Sequence, residues 1–372
     1  MSGGGSRQPL VVCAPNAFKG TISATAAARA LARGVTDAGG RAQPLAVADG
    51  GDGTLDVLLG AAGPAGRVQR VRVAGPSGRP RLARLGWIDH GVAVVELAEA
   101  AGLRLLGARR DPMRATSRGA GELIAAALAG GAHRVVVGVG GSASTDGGAG
   151  ILVALGARLL DERGRPIGSG GAALAELAEV DLDGLDPRLR TRRVAVAVDV
   201  RNPLSGPDGA ARVYAPQKGA DAAQVATLDR ALRHFGTLVE EAVGRPGLAE
   251  EPGAGAAGGA GFALAAVGAR LIGGAGLVCD QVGLDVALDG ASLVITGEGR
   301  LDAQTAAGKA PAEVAARATR AGIPCVAVCG SVTGGADLFS ATIALDQLGE
   351  EPQRRVRSLL RAAGARAVRL MA

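Results

Sequence analysis

Six carboxylates of this 372-residue chain stand out among those in short polar, mostly glycine-rich stretches that follow apolar runs. They are Asp49 and Asp52 in ADGGDGT (48–54), Asp146 in GVGGSASTDGG (138–148), Asp199 in DVRNPLSGPDG (199–209), and Glu298 and Asp302 in TGEGRLDAQT (296–305). The cations of comparable stretches are Lys19 in PNAFKG, Lys218 in APQKG, Lys309 in AAGKAP, and Arg300. Hard carboxylate oxygens beside glycines, where backbone N–H groups can approach phosphate closely, are what a Mg2+–nucleotide site requires. Lysine and arginine offset the charge spread over a transferring phosphoryl group, and a carboxylate must accept the proton of the attacking hydroxyl. An Asx turn or a helix cap accounts for any single Asp-Gly pair equally well. That account weakens when so many such loops follow strands.

The 138–148 stretch is glycine- and hydroxyl-rich like a phosphate cradle, yet no Lys-Ser/Thr pair follows it as in a P-loop. The lysine must come from elsewhere. Of the 41 basic residues only three are lysines, Lys19, Lys218 and Lys309, and each lies beside a glycine or one residue from it. A compact ammonium on a thin stem can touch a phosphate oxygen beside close-packed backbone where a guanidinium fork cannot. Asparagine is as scarce, with only Asn16 and Asn202.

These loops need strands and helices to hold them. LVVCA (10–14), PLAVA (44–48), SLVIT (292–296), PCVAVC (324–329) and ATIAL (341–345) read as strands. Helices are expected over 23–35 behind a Ser N-cap, from about Thr54, and from about Pro311, a favourable first helical residue. The Arg-rich stretch 351–371 reads as an amphipathic helix with a solvated face. Between these ends, 68–97 reads as antiparallel strands around a PSG turn. A helix near 117–130, a strand at 133–137, a helix over 150–160, the strand RVAVAV (193–198) and helices over 221–243 and 258–271 follow. The fold class is therefore α/β, with a discontinuous Rossmann-like parallel-sheet domain (1–65 plus 286–372) and an inserted mixed α/β domain (66–285). Ligands of open parallel sheets bind beyond the carboxyl ends of the strands, so the active site is expected in the cleft between the domains. The Gly/Ala tract 253–261 reads as a hinge or a close backbone approach.

The formal charge of +6 is scattered along the chain and aromatic residues make up 2% of it. That excludes a nucleic-acid platform and favours a small acidic substrate. The stretch near 257–278 is interrupted by Arg270 and does not read as a membrane span. MSGGGSRQ at the N-terminus has no apolar segment of the kind a secretory signal carries. Cys13, Cys279, Cys325 and Cys329 form no CxxC pair, and His90, His133 and His234 stand far apart. A cytoplasmic setting follows, without a zinc site or a Ser-His-Asp triad.

APNAFKGTISA, VADGGDGT, ATSRGAGELI (115–124), GGSASTDGGAG, VDVRNPLSGP, APQKGA, PGAGAAGG (252–259) and ITGEGRLDAQTAAGKAP together resemble the type I glycerate kinases, bacterial enzymes that phosphorylate D-glycerate. The resemblance runs from about residue 10 to the C-terminus. Asn16 and Ala17 stand where the family tends to Asp and Ser. It implies a flavodoxin-like discontinuous domain, ATP and Mg2+ as cofactors, D-glycerate as the partner, and 2-phosphoglycerate as the favoured product. A homodimer is compatible with it. On that basis Gly140, Gly141, Ser142, Thr145, Gly147 and Gly148 are assigned to the ATP phosphates, and Asp146, Asp49, Asp52 and Glu298 to the metal. Asp199, with Asp302 as second choice, is assigned as the base. Lys19 and Lys218 stabilise the transferred group. Arg300 or Arg118 takes the glycerate carboxylate, with Asn202, Gln304 and Lys309 also assigned to the substrate.

Two other classes compete. Gly138, Gly140 and Ala143 satisfy a dinucleotide-binding pattern with Asp161 beyond it, which would suit an oxidoreductase acting on a small hydroxy acid. Asp146 would repel the pyrophosphate there, and Gly147-Gly148 would weaken the receiving helix. A silent small-acid sensor would be marked by loss of the carboxylates, and all are in place.

Overall fold

The structure is a computed structural model that describes residues 8–306, 308–349 and 354–370. The side chains of Gln304 and Ala306 and the N-terminal stretch 1–7 lie outside the described residues. In chain order the elements are β1 (Leu10–Pro15), α1 (Ala24–Asp37), β2 (Arg41–Pro44), α2 (Thr54–Ala62), β3 (Arg67–Ala74), β4 (Pro80–Asp89) and β5 (Val92–Glu96). Next come α3 (Leu97–Ala101), α4 (Arg118–Ala129), β6 (Arg134–Gly138), α5 (Ala149–Ala154), β7 (Arg158–Leu160), β8 (Glu179–Asp181) and β9 (Arg193–Val198). They are followed by α6 (Ala210–Tyr214), α7 (Ala222–Val243), α8 (Ala256–Ala266), β10 (Arg270–Gly273), α9 (Gly274–Gln281) and α10 (Leu284–Leu288). The chain closes with β11 (Leu293–Leu301), α11 (Ala303–Ala306), α12 (Ala310–Arg320), β12 (Cys325–Val332), β13 (Ala341–Ala344) and α13 (Val356–Leu370).

Two compact units result, the first from 1–49, 56–61 and 273–372, the second from 50–55 and 62–272. These limits differ from the sequence expectation at 273–285, which belong to the first unit, and at 50–55 and 62–65, which belong to the second. The first unit holds a five-stranded, all-parallel sheet of order β13-β12-β11-β1-β2. Strand order reverses between β1 and β11, the kind of switch point where open α/β sheets leave a crevice. Val11, Cys13, Ile295, Val326 and Val328 form its core together with Leu31 of α1 and Leu360 of α13.

Helix α1 starts at Ser23, whose hydroxyl accepts from Ala26 N, and Pro311 stands in the first turn of α12. The C-terminal helix is more than a solvated face. It buries Val356, Leu359, Leu360, Ala363 and Ala367. Gly34 and Gly364 let α1 and α13 meet backbone to backbone, since a Cβ at Gly364 would lie 2.3 Å from Leu31 O. The second strand also differs: β2 covers Arg41–Pro44, and only the N–H groups of Leu45 and Val47 continue bonding to β1 across PLAVA. Strand β11 extends to Leu301, so Glu298 and Arg300 are strand residues rather than loop residues.

The second unit holds a six-stranded mixed sheet of order β10-β9-β6-β5-β4-β3. Strands β5, β6 and β9 run parallel, and β3, β4 and β5 form an antiparallel meander. Val135, Val136 and Val137 are fully buried, as a strand covered on both faces requires. Helix α7 carries a capping box in which Asp221 and Gln224 bond reciprocally, and ends at left-handed Gly244. The expected helix over 150–160 stops at Ala154. Its last residues form β7, which pairs with β8. Likewise α8 ends at Ala266, before β10.

The Gly/Ala tract is a close approach. Gly258 and Gly259 have φ of +73° and +98°. A Cβ on Gly258 would lie 2.1 Å from Ser144 O, and one on Gly259 would lie 2.5 Å from Gly147 Cα. Ala257, at φ 54°, shares the left-handed turn at a cost of about 1–2 kcal/mol. The 144–148 backbone thus rests on the start of α8. Among the described residues no helix is long and apolar enough to cross a membrane.

Candidate functional site

The carboxyl ends of β5, β6 and β9 lie side by side, with Glu96 opposite Gly138 and Gly138 opposite Ala197. Two glycine loops meet there. Gly140 N donates to Gly50 O at 3.2 Å. A Cβ on Gly140 would fall 2.3 Å from Gly51 Cα, and one on Gly141 2.3 Å from Asp52 Oδ1. Gly140 must be glycine because backbone packs on backbone there, whereas Gly141 is held to glycine by its left-handed φ of +71°. This contact leaves Asp52 exposed beside Gly141.

Glu96, which the sequence analysis passed over, holds this junction. It is 1% exposed, and its Oε2 accepts from Gly53 N at 3.1 Å and Leu55 N at 3.0 Å. Burial pushes its carboxyl up to about 7 against those two bonds, and Asp52 and Glu99 push the same way. An acid closing the apolar run VAVVE was the available signal.

Beyond Gly141 the loop turns inward. Ser142 through Ala149 are buried. Lys218 reaches the loop from the short 3-10 turn at Pro216–Lys218, and its Nζ donates to Ser142 Oγ at 3.0 Å and to Ser144 O. Of the three lysines, this is the one whose amine packs into the glycine loop. Desolvation pulls its amine down to about 7, opposed by the nearby Asp146 carboxylate. Ser144 Oγ and Thr145 Oγ1 are buried without a hydrogen-bond partner among the described residues, which leaves two hydroxyls unused by the protein.

Several assignments change here. Asp146 is fully buried. Its Oδ2 accepts from Ser117 N at 2.8 Å, Ser117 Oγ at 2.9 Å and Gly150 N at 3.4 Å, and its Oδ1 from Gly148 N at 3.2 Å. A carboxylate so occupied ties the starts of α4 and α5 together and is not available to a metal. Gly147 N donates to Gly258 O, so Gly147 and Gly148 do not offer N–H groups to phosphate. They turn the chain at φ +66° and +78° against Phe235 and Ala263. Gly140 N is likewise spent on Gly50 O, so of the residues assigned to the phosphates only Gly141 and Ser142 keep that assignment through their N–H groups, with the hydroxyls of Ser144 and Thr145 behind them.

Asp199 is half-buried, just past the end of β9. Asn202 spends its amide within its own loop: Nδ2 donates to Asp208 O at 2.7 Å, and Oδ1 accepts from Tyr214 OH at 2.6 Å. Arg118 is paired with Glu122 at 2.9 Å. Neither side chain stands free for substrate.

In the first unit, the residues after β1 and those of β11 flank the switch point. Asn16 N donates to Gly297 O, and Asn16 Nδ2 donates to Asp49 Oδ2 at 3.2 Å. Lys19 is exposed, with its backbone against Gly299. Glu298 is 8% exposed and accepts from Thr305 Oγ1 at 2.7 Å. Burial raises its pKa, opposed by that bond and by Lys309, while Asp49 and Asp302 add to the rise. Arg300 pairs with Asp302 at 3.0 Å, and Lys309 Nζ lies 3.8 Å from the other Asp302 oxygen. Gln304 belongs to α11, and its side chain lies outside the described residues. Among the described residues no three His, Cys, Asp or Glu side chains are grouped to hold a metal ion.

A parallel sheet in one unit and a mixed sheet in the other end in glycine-rich loops. With a buried lysine inside one loop and a carboxylate–lysine–arginine cluster in the other unit, they form a set of groups suited to phosphoryl transfer without a P-loop. The family model for the glycerate kinase family matches residues 11–363. The chain is 45% identical to a glycerate kinase of Bacillus subtilis, over 87% of this chain and 85% of that one. It is 43% identical to a glycerate 2-kinase of Escherichia coli over the same shares. A crystal structure described as a glycerate kinase 2 of Salmonella typhimurium LT2 superposes with a TM-score of 0.86 at 39% identity, covering 98% of each chain. The chain belongs to the glycerate kinase family. None of these comparisons supports a dinucleotide-dependent oxidoreductase.

Proposed function

We propose that the protein transfers the γ-phosphoryl group of ATP to a hydroxyl of D-glycerate, with 2-phosphoglycerate as the product. The observation that carries this reading is the family match along residues 11–363, which takes in both sets of strand-end loops. Gly141 and Ser142 approach the phosphates, and the unused hydroxyls of Ser144 and Thr145 are the donors the protein holds in reserve. Lys218 keeps Ser142 oriented through its 3.0 Å bond and supplies positive charge beneath the loop. Asp199, partly accessible past β9, takes the proton of the attacking hydroxyl. Lys19 and Lys309 neutralise charge on the transferred group and the acid.

Mg2+ commonly takes one or two carboxylates and completes its shell with water and phosphate oxygens, so a cluster of three acidic ligands is not required. Asp49, Asp52 and Glu298 have the hard oxygen donors for it, whereas Asp146 does not fit. A cation held by one or two of these carboxylates would neutralise phosphate charge. The four cysteines are free and buried, which supports a reducing, cytoplasmic setting.

The test is ADP release from Mg-ATP with D-glycerate, L-glycerate and larger hydroxy acids, with the product position read by phosphorus NMR. Turnover confined to D-glycerate with a 2-phosphate product supports the proposal. ATP turnover on another acid only, or none, overturns it.

A further inference from the structure

The second unit has a cavity of about 520 Å3 between the β3–β4 turn and the segment 105–115. Because β4 runs antiparallel to β5, this turn lies at the same edge of the sheet as Glu96 and Gly138. Four arginines line the cavity, Arg79, Arg81, Arg109 and Arg114, together with the apolar Leu105 and Leu106. Its one carboxylate, Asp111, accepts from Arg114 N at 3.1 Å and closes a turn of its own segment. Among the described residues none of the four guanidinium groups makes a hydrogen bond or ion pair, and Arg81 Nε is buried with no partner. Other arginines of the same unit are neutralised: Arg84 by Glu99, Arg165 by Asp161 and Arg188 by Asp186. The walls are built rather than incidental, since Thr116 N donates to Pro76 O at 2.9 Å and Gly75 N to Arg79 O at 2.7 Å.

We propose that this cavity binds a small organic polyanion carrying several carboxylate or phosphate groups on a carbon skeleton. Arginine forks bind such groups bidentately, and the apolar surface takes the skeleton. The pocket is half open to solvent, and its volume falls within the ~300–1,000 Å3 range of small-molecule sites, more room than a three-carbon acid fills. Arg118 and Arg300, the carboxylate readers expected from sequence, are both paired with acids, so these four are free where those two are not. The inference does not depend on the kinase reading, because it rests on unpaired charge and shape.

The experiment is isothermal titration of the full chain, without ATP, using citrate, a phosphorylated three-carbon acid and inorganic phosphate. Arg79→Glu and Arg109→Glu are the variants, both at exposed positions that folding tolerates. Saturable binding of one organic anion per chain, weakened at least tenfold in each variant, is expected. In turnover assays, competition of that anion with glycerate makes the occupant the acceptor or its product. A change in kcat without competition makes it an effector. Either result upholds the site. Absence of saturable binding by all three probes, or binding unchanged in both variants, overturns it whatever the enzyme's activity.

Discussion

Replacing Gly258 by Ala tests whether the start of α8 really sets the position of the glycine loop. Gly268 provides the control, because it shares a positive φ (+93° against +73°) but a Cβ there meets nothing within 4 Å. Both substitutions force alanine into left-handed backbone at a cost of about 1–2 kcal/mol. Only Gly258→Ala also drives a methyl to 2.1 Å from Ser144 O and 2.8 Å from Thr145 Cα. The Ser144 carbonyl would have to retreat by roughly 1 Å, and overpacking of that order costs about 1–3 kcal/mol. Gly268→Ala should therefore lose about 1–2 kcal/mol and Gly258→Ala about 2–5. For a unit of this size those losses lower Tm by roughly 2–4 °C per kcal/mol. Urea denaturation gives the free energies, and ADP-release kinetics give KM for ATP. The Gly258 variant should raise that KM by about tenfold or more, because Ser144 is also the carbonyl that anchors Lys218. Equal stabilities for the two variants, with unchanged KM, would refute the argument that this contact positions the loop.

Lys218→Met removes the buried amine and leaves Ser144 O unpaired, which should cost about 1–3 kcal/mol in urea titrations and reduce kcat. The wild-type protein should also gain stability between pH 7 and 10.5, where the unfolded chain holds the Lys218 proton more tightly than the folded one; the variant should lack that gain. Glu96 behaves in the opposite sense. Its carboxyl is raised from 4.5 to about 7, so its contribution is complete below pH 4.5 and is lost as pH rises to about 7, by about 3 kcal/mol. Glu96→Gln keeps an acceptor for Gly53 and Leu55 and should flatten that stretch of the stability profile, measured by Tm from pH 4.5 to 8. Asp199→Asn should lower kcat by about 100-fold or more, and Asp302→Asn by much less, in the same ADP-release assay. An Asp199 variant within a few-fold of wild type excludes it as the base.

Periodicity and caps made most of the framework legible. The run RVAVAV is β9 residue for residue, and Ser23 and Pro311 open the helices they were expected to open. Sequence reasoning misplaced elements where tertiary contact decides. Arg158–Leu160 continues a helical pattern but becomes β7 because β8 offers it a partner. For the site, the scarcity of lysine pointed to Lys218, whose amine does enter the glycine loop. The role of Asp146 was not legible, because a carboxylate beside glycines looks alike whether it faces a metal or caps two helices. Only the contacts with Ser117, 29 residues away, distinguish the two. Glu96 was missed for a related reason: its partners, Gly53 and Leu55, are backbone groups 43 and 41 residues earlier.

The central strand pairing of the first unit joins the two ends of the chain, and Thr296 Oγ1 reaches Ala14 O across 282 positions. During synthesis β1 and β2 emerge long before β11 exists, so their apolar faces must wait while more than half the polypeptide is made. The inserted unit meets no such delay, since its sheet is complete once residue 273 has left the ribosome. A nascent chain halted just after that point should therefore resist protease across 62–272 while its first fifty residues are still digested.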